Sequence, residues 1–102
     1  MMKSNYENIK RLKLSIQSAL LGAITENMRN IAVDISENKI ILYFFINGEI
    51  TEDDKENISI IEAEVIADFE DKFDIESVIK RVDYPESIIL ERGCSVFQRK
   101  ER

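Results

Sequence analysis

The chain has 102 residues, 44% of them hydrophobic and 33% charged, with one Pro and three Gly; we expect a single regular domain over 1–102 rather than a disordered chain. Its formal charge of −6 argues against direct nucleic-acid binding, because phosphates demand a basic surface. With no His and one Cys, Cys94, the chain lacks Ser-His and Cys-His nucleophile pairs, an internal disulfide and a cysteine-rich zinc site.

No apolar run approaches the ~20 residues of a bilayer span. The start, MMKSNYENIKRLK, is polar and of mixed charge, so we expect a cytoplasmic protein without a membrane partner. From about Ser4 to Ile24, apolar residues at Ile9, Leu12, Ile16, Ala19, Leu20 and Ala23 share one face at a 3.6-residue period, which predicts an amphipathic helix. Arg29 to Ser36 alternates, with Ile31, Val33 and Ile35 on one side, as a half-buried strand does. Glu37-Asn38-Lys39 reads as a hairpin turn. The run IILYFFI, residues 40 to 46, is β-branched and aromatic without a polar break, which predicts a central strand with both faces at least partly covered.

After Asn47-Gly48, Thr51 has the character of an N-cap with Asp54 at the third helical position and acids in the first turn. The second helix is placed from Thr51 or Glu52 to Asp71. Ser77 to Tyr84 is a third strand closed by Pro85, Cys94 to Arg99 a short fourth, and the intervening ESIILERG is open between loop and strand. The order helix, strand, strand, helix, strand, strand predicts an α+β fold: a mostly antiparallel sheet of about four strands with two helices on one face.

Little in this chain points to catalysis. Gly22, Gly48 and Gly93 are isolated, so there is no phosphate-cradling loop, and the acids of 68–76 fail the calcium-loop pattern because Phe73 stands where glycine is required. We expect no cofactor and no metal. A carboxylate pair is unavoidable among twenty acids and ranks last as a functional reading. Cys94 reads as a half-buried structural thiol. Tyr43 and Phe45 are expected to cover one face of the central strand while Phe44 enters the core, rather than forming a base-stacking platform.

Charge is unevenly distributed. Glu49 to Glu76 holds twelve acids against Lys55 and Lys72, a local charge of −10, whereas the remainder has eight acids and twelve bases, or +4. On a helical projection Ile58, Ile61, Val65 and Phe69 face the sheet, with Ala63 and Ile66 widening that face. Asp53, Asn57, Glu64, Asp68 and Asp71 form a solvent stripe interrupted by Ile60. We take Asp53, Glu64, Asp68 and Asp71 as the candidate partner-binding set, since so concentrated a field speeds encounter with a basic partner. Glu62 falls on the apolar side, where an unpaired carboxylate is costly, so it must pair, snorkel or sit at a margin.

The strings ALLGAITENMRNIAVDI, NGEITEDDKENISIIEAEVIADF, DYPESI and VFQRKE, covering about Ser18 to Glu101, resemble a family of small bacterial immunity proteins that accompany toxins of contact-dependent growth inhibition and related polymorphic toxin systems. In that family pattern Leu21-Gly22 ends the first helix, Arg29 opens the strand region and Asp83-Tyr84-Pro85-Glu86 closes the third strand. The resemblance implies a cytoplasmic antidote; with catalytic groups lacking we expect no enzyme activity, and we expect a monomer or weak dimer when free. It would block a cognate toxin domain, often a basic nuclease such as a tRNase. The alternative is a structural or adaptor subunit that self-associates.

Overall fold

The computed structural model describes residues 2–101, with side chains from Tyr6 onward. Its elements follow the predicted order: α1 Met2–Ala19, β1 Met28–Ser36, β2 Lys39–Ile46, α2 Glu52–Ile66, β3 Asp74–Arg81 and β4 Cys94–Gln98. The sheet runs β3-β2-β1-β4. β1 pairs antiparallel with both β2 and β4, while β2 and β3, joined through α2, are parallel. The sheet is therefore mixed. The one parallel pair arises where a helix intervenes, since only a long crossover brings the chain back in the same direction.

Alternation decides which strand residues meet the helices. Ile31, Val33 and Ile35 lie opposite Phe44, Leu42 and Ile40, and all six are buried with Leu12 and Ile16 of α1 and Ile58, Ile61 and Val65 of α2 in one core cluster. Each such side chain contributes about 1.5–3 kcal/mol by leaving water. The other face is not bare. Ala32 and Phe45 are buried there, and residues Ile89 to Arg92 overhang Tyr43 and Phe45 around a depression of about 240 Å³. The expected coverage of both faces of the central strand, and the split between Phe44 and Phe45, are thus observed.

Residues 87–92 form no strand; they are the overhanging segment. It is pinned by Gly93 (φ +82°), where a Cβ would collide with the Val33 carbonyl. Left-handed φ and this close approach both require glycine. Cys94, opposite Val33, is half-buried at the core margin.

Both helices are shorter than their apolar patterns. α1 stops at Ala19 instead of Ile24, because Leu21 N–H bonds to Ser18 and Ala23 N–H to Leu20 in tight turns around Gly22 (φ +75°). Leu20 is still buried, so the hydrophobic period outlasts the helix. α2 stops at Ile66 instead of Asp71. Asp74 N–H must reach the Asn38 carbonyl to start β3, and a helix to Asp71 would leave two residues in which to turn. The turns between contain Phe69 and Phe73, whose buried rings pack with centroids 5.0 Å apart and close the core. β3 accordingly starts three residues before the predicted Ser77. Ala63 is exposed instead of widening the apolar face.

The start of α2 is as expected: Thr51 Oγ accepts from Asp54 N–H and the Asp54 carboxylate accepts from Thr51 N–H, a reciprocal capping box. Asp54 is also buried, accepting from Asn27 Nδ2. Hydrogen bonds from Thr51 hold its carboxyl below the usual range although burial opposes this.

Candidate functional site

Two places concentrate unusual side-chain chemistry. The first is internal. Arg29, at the start of β1, is only 4% exposed. Its Nε and Nη2 donate to the two Glu101 oxygens at 2.7 and 3.0 Å, and Nη1 donates to the Val82 and Glu86 carbonyls at 2.7 and 2.8 Å. Its guanidinium carbon lies 5.6 Å from the Tyr84 ring centroid. Nearby, Asp83 accepts from Gly48 N–H and Arg81 Nε, and Tyr84 N–H donates to Asn47 Oδ1. Arg29, Asn47-Gly48, Asp83-Tyr84-Pro85-Glu86 and Glu101 therefore meet at one end of the sheet. A planar fork can hold a carboxylate and two carbonyls at once, which lysine cannot do. The Arg29 guanidinium keeps the Glu101 carboxyl below its ordinary range. With every acceptor supplied by the chain itself, this cluster ties segments together.

The second place is the outer surface of the helical layer. Asp53, Glu64, Asp68 and Asp71 are all exposed, but they are not one helical stripe. Asp53 and Glu64 lie on α2, about 16 Å apart along its axis; Asp68 and Asp71 lie in the turns beyond Ile66. The structure brings together Glu64 and Asp68. With Ser15, Ser18, Ala19 and Ala67 they line a depression of about 270 Å³ between α1 and α2. An adjoining hollow of about 360 Å³ is lined by Arg11, Leu14, Ser15, Ser18, Asp68 and Phe69.

Asp68 is aimed by contacts: its Oδ2 accepts from Ser15 Oγ at 2.6 Å, and its carbonyl accepts from Arg11 Nη2 at 3.0 Å. Arg11 also stacks on Phe69, 4.5 Å from the ring centroid, and reaches Glu70 at 3.5 Å. Among the described residues, the side-chain carboxylates of Asp53, Glu64 and Asp71 have no hydrogen-bond or ion-pair partner.

Large apolar side chains are also exposed on the helical layer and the turn after α1. Leu14, Leu21 and Ile60 are 69%, 82% and 53% exposed. Leu14 and Leu21 escape a reading that looks for the buried face, yet both fall off the apolar period of α1, and that displacement was the available signal. Leu14 shares its hollow with Asp68, and Ile60 precedes Glu64 by one helical turn.

Glu62 is half-buried on the other flank of α2, where its Oε2 accepts from Ser77 Oγ of β3 at 2.6 Å. Of the outcomes expected for it, the margin position is the one observed, with the Ser77 hydroxyl as hydrogen-bond donor in place of a charged partner. Among the described residues no group of three or more His, Cys, Asp or Glu side chains is arranged to hold a metal ion, and no helix is long and apolar enough to cross a membrane.

A search of curated proteins returns no match. The family model described as MafI2 immunity protein matches residues 9–101, a span that holds α2, the Arg29 cluster and both segments that converge on it; the chain belongs to this family of immunity proteins.

Proposed function

We propose that this chain is a non-catalytic inhibitor that binds a basic toxin domain in the cytoplasm and covers its active site, and that the toxin is a nuclease such as a tRNase delivered by contact-dependent growth inhibition. The observation that carries this reading is the set of exposed carboxylates on α2 and in the turns that follow it, beside the exposed Leu14 and Ile60. It lies on a chain that belongs to an immunity family and bears −10 between Glu49 and Glu76. Carboxylates at Asp53, Glu64, Asp68 and Asp71 would meet the Lys and Arg that otherwise hold substrate phosphates, in charge-assisted hydrogen bonds.

The test is co-expression. The probe is the C-terminal domain of the open reading frame immediately upstream of this gene: cells producing it alone should die, and those also producing this chain should survive, with the two proteins recovered as a complex. Survival without complex formation would contradict inhibition by direct binding. The four-site charge reversal Asp53→Lys, Glu64→Lys, Asp68→Lys and Asp71→Lys should leave the far-ultraviolet dichroism unchanged and slow association. Unchanged association would remove this surface from the interface.

A further inference from the structure

The two edges of the sheet are not equally guarded. β4 is five residues long and its pairing with β1 shifts register between Ile31 and Ala32, a short bulged edge of the kind that discourages further pairing. β3 is eight residues long, contains no proline, and pairs with β2 in unbroken register from Lys39↔Asp74 to Ile46↔Arg81. Asp74 N–H donates to the Asn38 carbonyl and Val82 N–H to the Ile46 carbonyl. Because backbone direction alternates along a strand, the even-numbered residues of β3 point at β2, and Ile75, Ser77, Ile79 and Arg81 turn their N–H and C=O outward. Among the described residues these outward N–H groups have no acceptor.

The side chains above that edge indicate what fits it. On the helix-facing side Ile75, Ser77 and Ile79 succeed one another, and Glu62 of α2 overhangs the middle one, receiving the Ser77 hydroxyl. That bond occupies one of about four acceptor positions on the carboxylate. We propose that the free edge of β3 takes an additional strand from the toxin domain, with a Lys or Arg of that strand seated against Glu62 and apolar residues two positions either side meeting Ile75 and Ile79. This rests on the inhibitor reading above and extends the contact from the outer helical surface around α2 to the sheet. Backbone pairing supplies affinity that does not depend on sequence, and the residue under Glu62 supplies selection for a basic partner. A second copy of this chain is a poorer occupant. Joining β3 to β3 would set two α2 helices side by side, each within a segment carrying −10, whereas a basic strand neutralises that field.

The test is amide hydrogen exchange of the isotope-labelled chain, free and bound to the upstream toxin domain. The amides of Ser77 and Ile79 should exchange rapidly in the free protein and slow at least ~100-fold in the complex, while the even-numbered β3 amides should be protected in both. Glu62→Gln, which can still accept from Ser77, should raise the dissociation rate about 10-fold with little change in association. A complex in which Ser77 and Ile79 still exchange freely would overturn the strand addition and leave the inhibitor reading standing; failure to form any complex would overturn both. Protection that rises with concentration in the toxin-free protein would give the edge to a second copy and overturn the proposal.

Discussion

Replacing Arg29 by Met keeps most of the aliphatic stem, which still packs at the base of the sheet, but removes four hydrogen bonds at once: two to Glu101 and one each to the Val82 and Glu86 carbonyls. Hydrogen bonds to a charged group contribute about 1.5–3 kcal/mol each, but those sharing one guanidinium do not add. Breaking a buried pair typically costs about 3–5 kcal/mol. Here the low end applies, since Glu101 still has Arg99 Nη2 at 3.0 Å and can turn toward water. We expect Arg29→Met to lose about 3 kcal/mol. With a urea slope of about 1.5 kcal/mol/M, that moves the unfolding midpoint down by about 2 M. Arg29→Lys keeps the charge without the fork and should fall between, at about 2 kcal/mol. Urea titration followed by circular dichroism reads both. A loss under about 1 kcal/mol for Arg29→Met, or a lysine variant as stable as the native chain, would refute the idea that the fork holds these segments together.

Loss of the α2 cap in Thr51→Ala should cost about 1 kcal/mol in the same titration; no change would mean that the capping box adds nothing to the packing of α2. Gly93→Ala should cost about 2 kcal/mol or more, because it combines a left-handed φ with a collision against the Val33 carbonyl. A thermal scan showing native stability would contradict the close approach there. The carboxyls of Asp54, Asp83 and Glu101 are all held below their ordinary values, chiefly by hydrogen bonds from Thr51, Arg81 and Arg29 respectively. Depressed folded-state values give stability that is present above about pH 4, the unfolded range, and lost as pH falls through the folded values. Urea midpoints should therefore decline below about pH 4, less steeply in Arg29→Met; identical slopes in the two proteins would show that Glu101 is not linked to folding through Arg29.

Pattern revealed the elements of this fold because β1 alternates over Ile31, Val33 and Ile35, β2 is an unbroken β-branched and aromatic run buried on both faces, and α1 and α2 carry a 3.6-residue repeat. It misplaced helix ends for one reason: Leu20, Phe69 and Phe73 are apolar and buried but lie in turns, so the hydrophobic signal continues where helical hydrogen bonding has stopped. The parallel pairing of β2 with β3 follows from the crossover through α2, yet nothing in local sequence states which neighbour β3 chooses. The acids of the candidate surface were legible as charge, but their grouping was not. Glu64 and Asp68, four residues apart, would adjoin on a continued helix as well; what local sequence does not state is that the turn after Ile66 sets Asp68 against Ser15 of α1 and takes Asp71 off the helical face. Arg29 was visible as part of a family pattern without a role, since its acceptors lie 53 to 72 residues away.

The central claim is that an acidic face on the helical layer captures a basic toxin. Stopped-flow association of the upstream toxin domain with the native chain and with the four-site charge reversal, across a range of salt concentrations, tests it most directly. Association of the native chain should be fast and strongly salt-sensitive, and that of the reversal at least ~10-fold slower at low salt, the two converging as salt screens the field. Equal rates and equal salt dependence in the two proteins would contradict it.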